Sequence, residues 1–354
     1  MKKTLCAFGY FDLEGQRSWV IRKGLEESGC SVQLCRTDAL GFLPKMRDLR
    51  KQWNRLGSAV DALYVVFPGH YVMPLAWWIA RKKRIPVILD VFISLYETEV
   101  EDRARLSCWN PKAWLLWIVD WLACALADTI LIDTEEHRDF FVRRYRIPQR
   151  KFLVIPVGCR TDLFSPHQDQ QKPGAFLVRF HGSFIPLHGI ETILRAAQEL
   201  KDDNVVFELA GKGQTFPAMQ KLAEKLSLNN VRFVGMKKLE EIPDFIAGGD
   251  VSLGIFGTGA KAQRVIPTKA FEILAMAKPL ITARSPATGR IFRDREDVLL
   301  MKAGDAHDLA EKIRELKNNA ALAASIAQNG RALFLEKFQP RTAVQPLVAW
   351  LQTH

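Results

Sequence analysis

The sequence has few cysteines, and none of them lies in a pattern that would indicate a zinc-binding or secreted protein. Among 354 residues there are six cysteines, with no Cys-x-x-Cys pair and no Cys/His set at zinc spacing. They are Cys6, Cys30, Cys35, Cys108, Cys124 and Cys159. We therefore predict mostly buried, reduced thiols and a reducing compartment.

The sequence also lacks a long apolar segment. The most apolar stretch, residues 113–127, is interrupted by Asp120 and is too short to span a bilayer. The N-terminal segment reaches Asp12 and Glu14 without an apolar core or a small-residue cleavage site, so we interpret it as a first β-strand and not as a signal peptide. These absences predict a cytoplasmic protein.

What is present is the composition of a folded protein with an excess of basic residues. Hydrophobic residues make up 48% and charged residues 25% of the chain, and this length favours two domains. Fifty Lys and Arg against 39 Asp and Glu give a net charge of +11, shared by both halves. A basic surface suits an anionic small molecule, membrane or nucleic acid. The basic residues do not alternate with stacking aromatics on one sheet face, so we predict no nucleic-acid partner.

Short apolar runs alternate with helical patterns along the whole chain. The run at residues 62–67 (ALYVVF) is typical of a parallel strand buried on both faces. The alternation restarts after the polar segment Ser165–Gly174, which we interpret as a linker. We predict an α/β protein of two tandem Rossmann-like, doubly wound domains, residues 1–165 and 166–340, facing a cleft.

The second half contains several glycines directly after predicted strands. Gly182 and Gly189 lie in a strand–loop–helix segment whose helix N-terminus has free N–H groups that can hold phosphate. Gly211 and Gly213 follow the next strand, and Gly235 follows a third. Each pattern is weak alone, and glycines that only form turns explain each of them equally well.

The most informative segment of the second half is VIPTKAFEILAMAKPLIT. Pro267 stands at a helix start, where its missing N–H is harmless. Lys269 and Glu272 are three residues apart on one helical face near that N-terminus. The lysine is placed to meet a phosphate, and the carboxylate to accept hydrogen bonds from two adjacent ribose hydroxyls. A surface Lys–Glu ion pair is the alternative interpretation.

The order and spacing of these segments resemble the C-terminal domain of family-4-type retaining glycosyltransferases of the GT-B fold. The resemblance covers nearly the whole chain. It includes Pro156–Phe164, which is similar to the family's domain junction. It implies that residues 166–340 bind a UDP- or GDP-linked sugar, that residues 1–165 hold the acceptor, and that a helix in residues 341–354 crosses back to the first domain. It also implies that Glu272 binds the nucleotide ribose and that Lys269 supports the phosphates.

The sequence departs from this family at three positions. The family's arginine and lysine of the first loop fall at Ser183 and His188, and the earlier of its two glutamates is Arg264. His188 can replace a cation if it is protonated, or donate through a neutral N–H. Arg264 has two possible roles. It holds the diphosphate or the sugar, or it is a solvated loop residue. The loop Gly257–Val265 is expected to close over the sugar.

The first domain places polar residues at predicted strand ends, where ligands of such sheets bind. Gly15 and Arg17 stand where the family has a loop that lines the cleft, and we assign them to donor binding. His70 and Asp90 each follow a buried strand. With Arg264 they are our candidate catalytic residues, although a structural histidine and a helix-capping aspartate are the alternatives.

The resemblance implies a retaining transfer by front-face attack, in which the leaving phosphate takes the proton of the acceptor. No carboxylate nucleophile is then needed. Because the sequence has no Asp-x-Asp motif, we expect no metal and no other cofactor. Two alternatives stay open: a nucleotide-sugar epimerase or hydrolase of the same fold, and a catalytically inactive binding subunit, which the departures from the family keep open.

A basic amphipathic helix is predicted near residue 50. Its basic residues are Lys45, Arg47, Arg50, Lys51 and Arg55, and its apolar stripe is formed by Met46, Leu49, Trp53 and Leu56. The basic run Arg81–Arg84 follows, and tryptophans 109, 114, 117 and 121 lie in or beside the apolar helix. This pattern suits an anionic membrane. We predict a peripheral enzyme at the inner membrane face with a lipid-linked or cell-envelope polysaccharide acceptor; solvated helices packed on the core are the alternative.

Overall fold

The computed structural model of the chain describes residues 3–56, 59–167 and 174–353. It divides into two compact units. Unit 1 comprises residues 1–158 with 339–354, and unit 2 comprises residues 159–338. The predicted domains end at residues 165 and 340, so both divisions of the structure lie earlier in the chain. Residues 168–173 of the predicted linker lie outside the described residues.

Each unit contains a six-stranded parallel sheet. The first sheet has the order β2-β1-β3-β4-β5-β6 and the second β12-β11-β10-β7-β8-β9. The strands of unit 1 are Thr4–Gly9 (β1), Ser31–Arg36 (β2), Ala62–Val65 (β3), Val87–Asp90 (β4), Thr129–Ile132 (β5) and Phe152–Val154 (β6). The strands of unit 2 are Phe176–His181 (β7), Val205–Ala210 (β8), Val231–Gly235 (β9), Val251–Leu253 (β10), Leu280–Arg284 (β11) and Leu299–Lys302 (β12). Both sheets are parallel throughout, so the predicted doubly wound α/β class is confirmed.

The helices connect these strands and close the chain. They are Gln16–Glu27 (α1), Phe42–Arg55 (α2), Met73–Lys83 (α3), Pro111–Leu126 (α4), Glu135–Tyr145 (α5), Ile190–Glu199 (α6), Phe216–Lys225 (α7), Ile242–Ala247 (α8), Thr268–Ala275 (α9), Pro286–Ile291 (α10), Ala306–Asn318 (α11), Ala320–Lys337 (α12), Pro340–Ala343 (α13) and Gln345–Thr353 (α14). In a parallel sheet each such helix begins near the carboxyl edge, where ligands bind.

The sheet of unit 1 is buried on both faces. Leu63 and Val65 of β3 pack on one face in a core shared with α2, α3, α4 and α5. Ala62 and Tyr64 point to the other face, in a core shared with α1 and α14. This arrangement explains the continuous apolar run of β3, because alternate residues meet two different helical layers. It also places α2, α3 and α4 on the same side of the sheet.

The C-terminal segment forms two helices, α13 and α14, where the sequence predicts one helix in residues 341–354. Pro340 begins α13, at a position where a missing N–H leaves no hydrogen bond unmade. The short helix packs against α1, where a Cβ on Gly24 would lie 2.6 Å from the carbonyl carbon of Pro340. A larger residue than glycine at position 24 would therefore separate the two helices.

Candidate functional site

The predicted glycine loops of unit 2 meet at the carboxyl edge of its sheet. Gly182 N–H donates to the Ala210 carbonyl at 2.9 Å, and Phe184 N–H donates to the Lys212 carbonyl at 2.9 Å. On the other side, Phe256 N–H donates to the His188 carbonyl at 3.2 Å. The loops after β7, β8 and β10 are thus joined by backbone hydrogen bonds. Residues from three separate motifs of the sequence therefore form one site.

Glycine is required at position 182 by both conformation and space. Its φ is +138°, a value that residues with a side chain rarely adopt. A Cβ built there would lie 2.7 Å from Lys269 Nζ and 3.3 Å from His188 Cε1. Gly211, at φ +148°, has its Cβ position blocked by the Gly182 carbonyl. These glycines allow the backbone to approach the lysine side chain closely.

Helices α6 and α9 begin at this edge without a side-chain cap from the described residues. Gly189, in the left-handed conformation, is the N-cap of α6, and Pro267 is the N-cap of α9. In contrast, the Thr134 hydroxyl caps α5 by accepting from His137 N–H at 3.1 Å. Helix N-termini without such a cap are suited to binding an anion, because their first N–H groups point along the positive end of the helix dipole.

Lys269 lies buried beside these helix starts. Its ammonium group has no hydrogen-bond acceptor among the described residues, and Nζ stands 4.0 Å from the centroid of the Phe180 ring. Burial lowers the pKa of Lys269 to about 7, against the opposing effect of the Glu272 carboxylate. A buried cation without a partner is costly in a folded protein, so the position indicates a binding site for an anionic group.

Glu272 is also buried, one helical turn after Lys269. Its Oε2 lies 2.7 Å from Nε2 of His181, the last residue of β7. The alternative of a solvent-exposed Lys–Glu pair is therefore wrong, because both side chains are withdrawn from solvent. His181 is a site residue that our sequence reasoning missed. Its position at a strand end, directly before Gly182, is the signal that would have found it.

Ser183 and His188 occupy the positions of the expected cations, and neither is a cation here. Ser183 is exposed, and its carbonyl accepts a hydrogen bond from Nδ1 of the buried His188. Burial, and next the charge of Lys269, hold the pKa of His188 well below its usual range, so the ring is neutral. With the proton on Nδ1, Nε2 can only accept. His188 therefore fixes the loop and has no N–H to offer a phosphate in this geometry.

Arg264 lies partly buried in the loop between β10 and α9. Its backbone N–H donates to the Lys261 carbonyl at 3.0 Å. The beginning of this loop packs on the loop after β7, since Gly257 N–H donates to the Leu187 carbonyl at 3.2 Å. The role of Arg264, and closure of Gly257–Val265 over a sugar, stay predictions. Gly235 ends β9 at the same edge, with a φ of +75°, and Gly213 lies in the loop after β8.

In unit 1, Arg17 and Asp90 form a buried ion pair at the carboxyl edge. Arg17 Nε lies 2.8 and 3.0 Å from the two Asp90 carboxylate oxygens, and Nη1 donates to the Ile155 carbonyl at 3.0 Å. Burial raises the pKa of Asp90, although the arginine opposes this. Arg17 follows Gly15, the N-cap of α1. Two residues predicted for donor binding and catalysis are thus paired with each other.

His70 lies in a second buried polar group of unit 1. Its Nε2 is 3.6 Å from Oδ1 of Asp120, whose carboxylate accepts hydrogen bonds from the Ser94 hydroxyl at 2.7 Å and the Tyr145 hydroxyl at 2.9 Å. Burial lowers the pKa of His70. The side chain is fully withdrawn from solvent, an environment that matches the structural alternative for this histidine.

A further buried histidine of unit 1 is charged. His137 Nδ1 lies 2.7 Å from Asp133 and Nε2 3.7 Å from Glu97. Burial would lower the pKa of His137, but the two carboxylates raise it to about 9. The sequence did not indicate this pairing, because Asp133 directly follows β5, His137 lies in α5 and Glu97 lies in the segment after β4.

Three observations concern metals, cysteines and membranes. Within the described ranges, no group of three His, Cys, Asp or Glu residues is arranged to hold a metal ion. All six cysteines are free, and only Cys108 is exposed. No helix of the described chain has both the length and the apolar character needed to cross a membrane.

Comparison with protein families identifies unit 2. Residues 165–333 match the family described as glycosyl transferases group 1. This range contains every loop of the site built around Lys269 and Glu272, so the sequence match and the geometry fall on the same part of the chain.

Curated relatives match parts of the chain at modest identity. The uncharacterized glycosyltransferase MJ1178 of Methanocaldococcus jannaschii is 29% identical over 159 residues, which are 45% of this chain and 43% of that protein. The lipopolysaccharide core biosynthesis glycosyltransferase LpsD of Rhizobium meliloti is 25% identical over 187 residues, 52% of this chain and 50% of that protein. The chain thus spans about half the length of these relatives.

Solved structures match over the full chain. Anabaena HepE in complex with UDP and glucose has a TM-score of 0.73 at 16% identity, covering 100% of both chains. Sucrose-phosphate synthase of Thermosynechococcus elongatus has a TM-score of 0.75 at 16% identity, covering 100% of this chain and 99% of that one. At this identity the likeness shows the fold alone, and the fold is GT-B, as predicted.

Proposed function

Since residues 165–333 belong to the group 1 glycosyltransferases, we propose that the chain transfers a sugar from a nucleoside-diphosphate donor to a hydroxyl of an acceptor. The donor is held by unit 2. One observation carries this proposal: Lys269, buried and without a hydrogen-bond acceptor among the described residues, lies in the first turn of α9 beside the loop that leads into α6, and neither helix has a side-chain cap. A diphosphate would supply the missing acceptor and meet both helix N-termini.

Glu272 is the proposed ribose ligand. Its carboxylate has two acceptor oxygens, of which Oε2 lies 2.7 Å from His181 Nε2. A carboxylate accepts from two adjacent hydroxyls well, because both of its oxygens carry lone pairs in one plane. His181 fixes the orientation of this carboxylate before the donor binds, which reduces the conformational entropy lost on binding.

The proposed reaction exchanges one bond at the anomeric carbon. The bond to the β-phosphate oxygen breaks, a bond to the acceptor oxygen forms on the same face, and the hydroxyl proton passes to the departing phosphate. Negative charge grows on the diphosphate as the sugar takes on oxocarbenium character. Lys269 and the N-termini of α6 and α9 are placed to stabilise that charge. We expect no metal and no other cofactor in this step, as the sequence predicts.

The proposed acceptor is a lipid-linked or cell-envelope polysaccharide precursor, met by a cytoplasmic protein at the inner membrane face. Support comes from relatives named for lipopolysaccharide core and colanic acid biosynthesis, and from the net charge of +11, which suits an anionic surface. The UDP and UDP-glucose complexes of HepE make uridine donors the first to test, before GDP-sugars.

A panel of UDP- and GDP-sugars tests the donor assignment by thermal shift. We expect at least one donor to raise the melting temperature, and the Glu272→Ala variant to lose that shift. A panel without any shift for the wild-type protein would contradict the proposal. Release of free nucleotide is then followed with and without an extract of lipid-linked acceptors, since a transferase releases nucleotide faster with acceptor.

The other functions open at the sequence level give different results in the same assay. An epimerase converts the donor sugar without acceptor, and a hydrolase releases nucleotide at the same rate with or without acceptor. An inactive binding subunit shows the thermal shift but no turnover. Ser183 and His188 keep this last outcome worth measuring, because they replace the two usual cations of the family's first loop.

A further inference from the structure

Helix α4 exposes a continuous apolar face. Its members recur at helical spacing on one side: Trp114, Leu115, Ile118, Trp121 and Leu122, with Trp109 just before the helix. Trp109 is 83% and Trp114 60% exposed. The opposite side of the helix, with Ala113, Ala123 and Cys124, is buried. We call these six exposed residues the α4 face. Large apolar side chains exposed together mark an interaction surface.

Helix α2 adds exposed apolar residues at its own start. Leu40, Phe42 and Leu43 are 90%, 58% and 63% exposed. The two helices lie on the same side of the sheet, because Leu49 of α2 and Cys124 of α4 belong to one core. Both helices also follow parallel strands, so their starts lie toward the carboxyl edge of the sheet. The exposed apolar residues along α4 and at the start of α2 thus lie on the same side of the sheet.

The same side of unit 1 is basic. Across α2, α3 and α4 the basic residues are Lys45, Arg47, Arg50, Lys51, Arg55, Arg81, Lys82, Lys83 and Lys112, while the acidic residues are Asp48 and the buried Asp120. Arg50 and Lys82 both stand over the Trp78 ring, at 5.1 and 3.8 Å from its centroid. Tryptophan with flanking lysine and arginine is the composition that proteins present to the headgroup region of a bilayer.

The apolar stripe of α2, which the sequence suggested for membrane contact, is not available on the surface. Leu49 of α2 is fully buried, and Met46, Trp53 and Leu56 pack against the same core. Trp117 of α4 packs there too. The predicted stripe of α2 is therefore used for folding, and only its basic side remains for lipid headgroups. The apolar contact has to come from residues outside that stripe.

We propose that the α4 face inserts into the interface of an anionic lipid bilayer, while the exposed arginines and lysines of α2 and α3 contact the headgroups. The proposal rests on the proposed function, since it would bring a lipid-linked acceptor to the edge of the sheet in unit 1. A second copy of the chain fits the surface less well, because a twofold interface would set two strongly basic patches near each other.

The test is binding of the full chain to vesicles of phosphatidylglycerol and phosphatidylcholine in equal parts, measured by sedimentation. We expect the variant Trp114→Ala/Ile118→Ser/Trp121→Ala to bind about tenfold or more weakly, since burying large apolar side chains drives insertion. The matched control, Val234→Ser/Met236→Ser/Leu335→Ser, removes exposed apolar residues of unit 2 and should bind like the wild type. Brominated lipids should quench tryptophan fluorescence in the wild type and less in the α4 variant.

The contribution of the basic residues of α2 to vesicle binding is tested separately. Arg47→Glu/Arg50→Glu/Lys51→Glu should weaken binding to these vesicles about tenfold or more at low salt, because each basic residue near an anionic surface adds to the attraction. Binding to pure phosphatidylcholine should be weak for every variant. Equal binding of the wild type and the α4 variant would overturn the proposal, and so would absence of binding by the wild type.

A protein partner is a distinguishable outcome. A wild-type dimer in gel filtration that becomes monomeric in the α4 variant, without vesicle binding, would assign the α4 face to a second copy and overturn the membrane proposal. Donor-induced thermal shifts are recorded in solution for each variant. A normal shift shows that the variant is folded, and loss of vesicle binding with a normal shift separates this proposal from the proposed function.

Discussion

Both sheets are parallel, but their carboxyl edges use charge in opposite ways. At the edge of unit 1, the buried charges are paired within the protein: Arg17 with Asp90, and His137 with Asp133. At the edge of unit 2, the ammonium of Lys269 is buried without an acceptor among the described residues. Parallel strands bring polar residues to both edges, yet at the edge of unit 2 the buried Lys269 ammonium has no hydrogen-bond acceptor among the described residues.

This difference separates residues that stabilise the fold from residues that await a ligand. A buried ion pair holds its own members in place, and removing one member is strongly destabilising. A buried cation without a partner lowers the stability of the empty protein and is satisfied only when an anion binds. Strand-end position is therefore insufficient to identify a binding residue, and the pairing of its charge has to be known.

The largest effect should come from breaking the pair of unit 1. Arg17→Met leaves the Asp90 carboxylate buried without its cation, which should lower the free energy of unfolding by about 3–5 kcal/mol. Urea denaturation measures this loss. The double variant Arg17→Met/Asp90→Leu should recover much of it, because no unpaired charge remains. Wild-type stability combined with weakened donor binding would instead assign Arg17 to the donor, as the sequence predicts.

The next effect concerns Glu272 at the carboxyl edge of unit 2. Glu272→Ala should weaken donor binding by at least about a hundredfold, since two hydrogen bonds to a charged acceptor each contribute about 1.5–3 kcal/mol. Isothermal titration with the donor that gives the largest thermal shift measures the change. Glu224→Ala, on the exposed surface of α7, is the matched control and should leave the affinity within about twofold. Equal affinities of Glu272→Ala and the wild type would remove the ribose assignment.

The pKa of Lys269 predicts how the affinity for the donor changes with pH. With the pKa of Lys269 near 7 in the empty protein, the ammonium is charged below pH 7 and largely neutral above it. Donor binding should therefore weaken as pH rises above 7, because the lysine must take up a proton to meet the diphosphate. Lys269→Met should bind about tenfold more weakly at pH 6 and should lose this dependence. A wild-type affinity that is constant between pH 6 and 9 would contradict the charge assignment.

In the protein without donor, the contribution of Lys269 to the free energy of unfolding should change with pH in the opposite direction. The pKa of Lys269 is lower in the folded than in the unfolded chain, so the unfolded chain binds more protons between pH 7 and about 10. The contribution of Lys269 to the free energy of unfolding then rises with pH over that range. Comparing the pH slopes of wild type and Lys269→Met isolates this contribution, since other titrating groups are common to both.

The smallest effect is expected at His181, which positions Glu272. His181→Ala removes one hydrogen bond to the carboxylate and should weaken donor binding roughly fivefold, in line with about 1 kcal/mol for such a bond. His181→Gln keeps an N–H donor and should recover part of the affinity. A loss larger than that of Glu272→Ala would mean that His181 contacts the donor itself.

Much of the fold and part of the site follow from the sequence. Apolar runs and helical periodicity predicted two doubly wound α/β units, because burial on both faces of a parallel sheet leaves a continuous apolar signature. Local spacing also placed Lys269 and Glu272 on one helix near its start. Those features depend on neighbours within a few residues. The division of the last helix at Val344 was missed, since a proline is as compatible with a helix start as with a break.

Only the tertiary structure decided which charges are paired. Arg17 meets Asp90 across 73 positions, and His181 meets Glu272 across 91, distances over which one sequence carries no pairing signal. The structure likewise decided that the stripe of α2 is core while the α4 face is exposed. Sequence determines the periodicity of an apolar stripe through the helical repeat, but what covers that stripe depends on how the helices pack around the sheet.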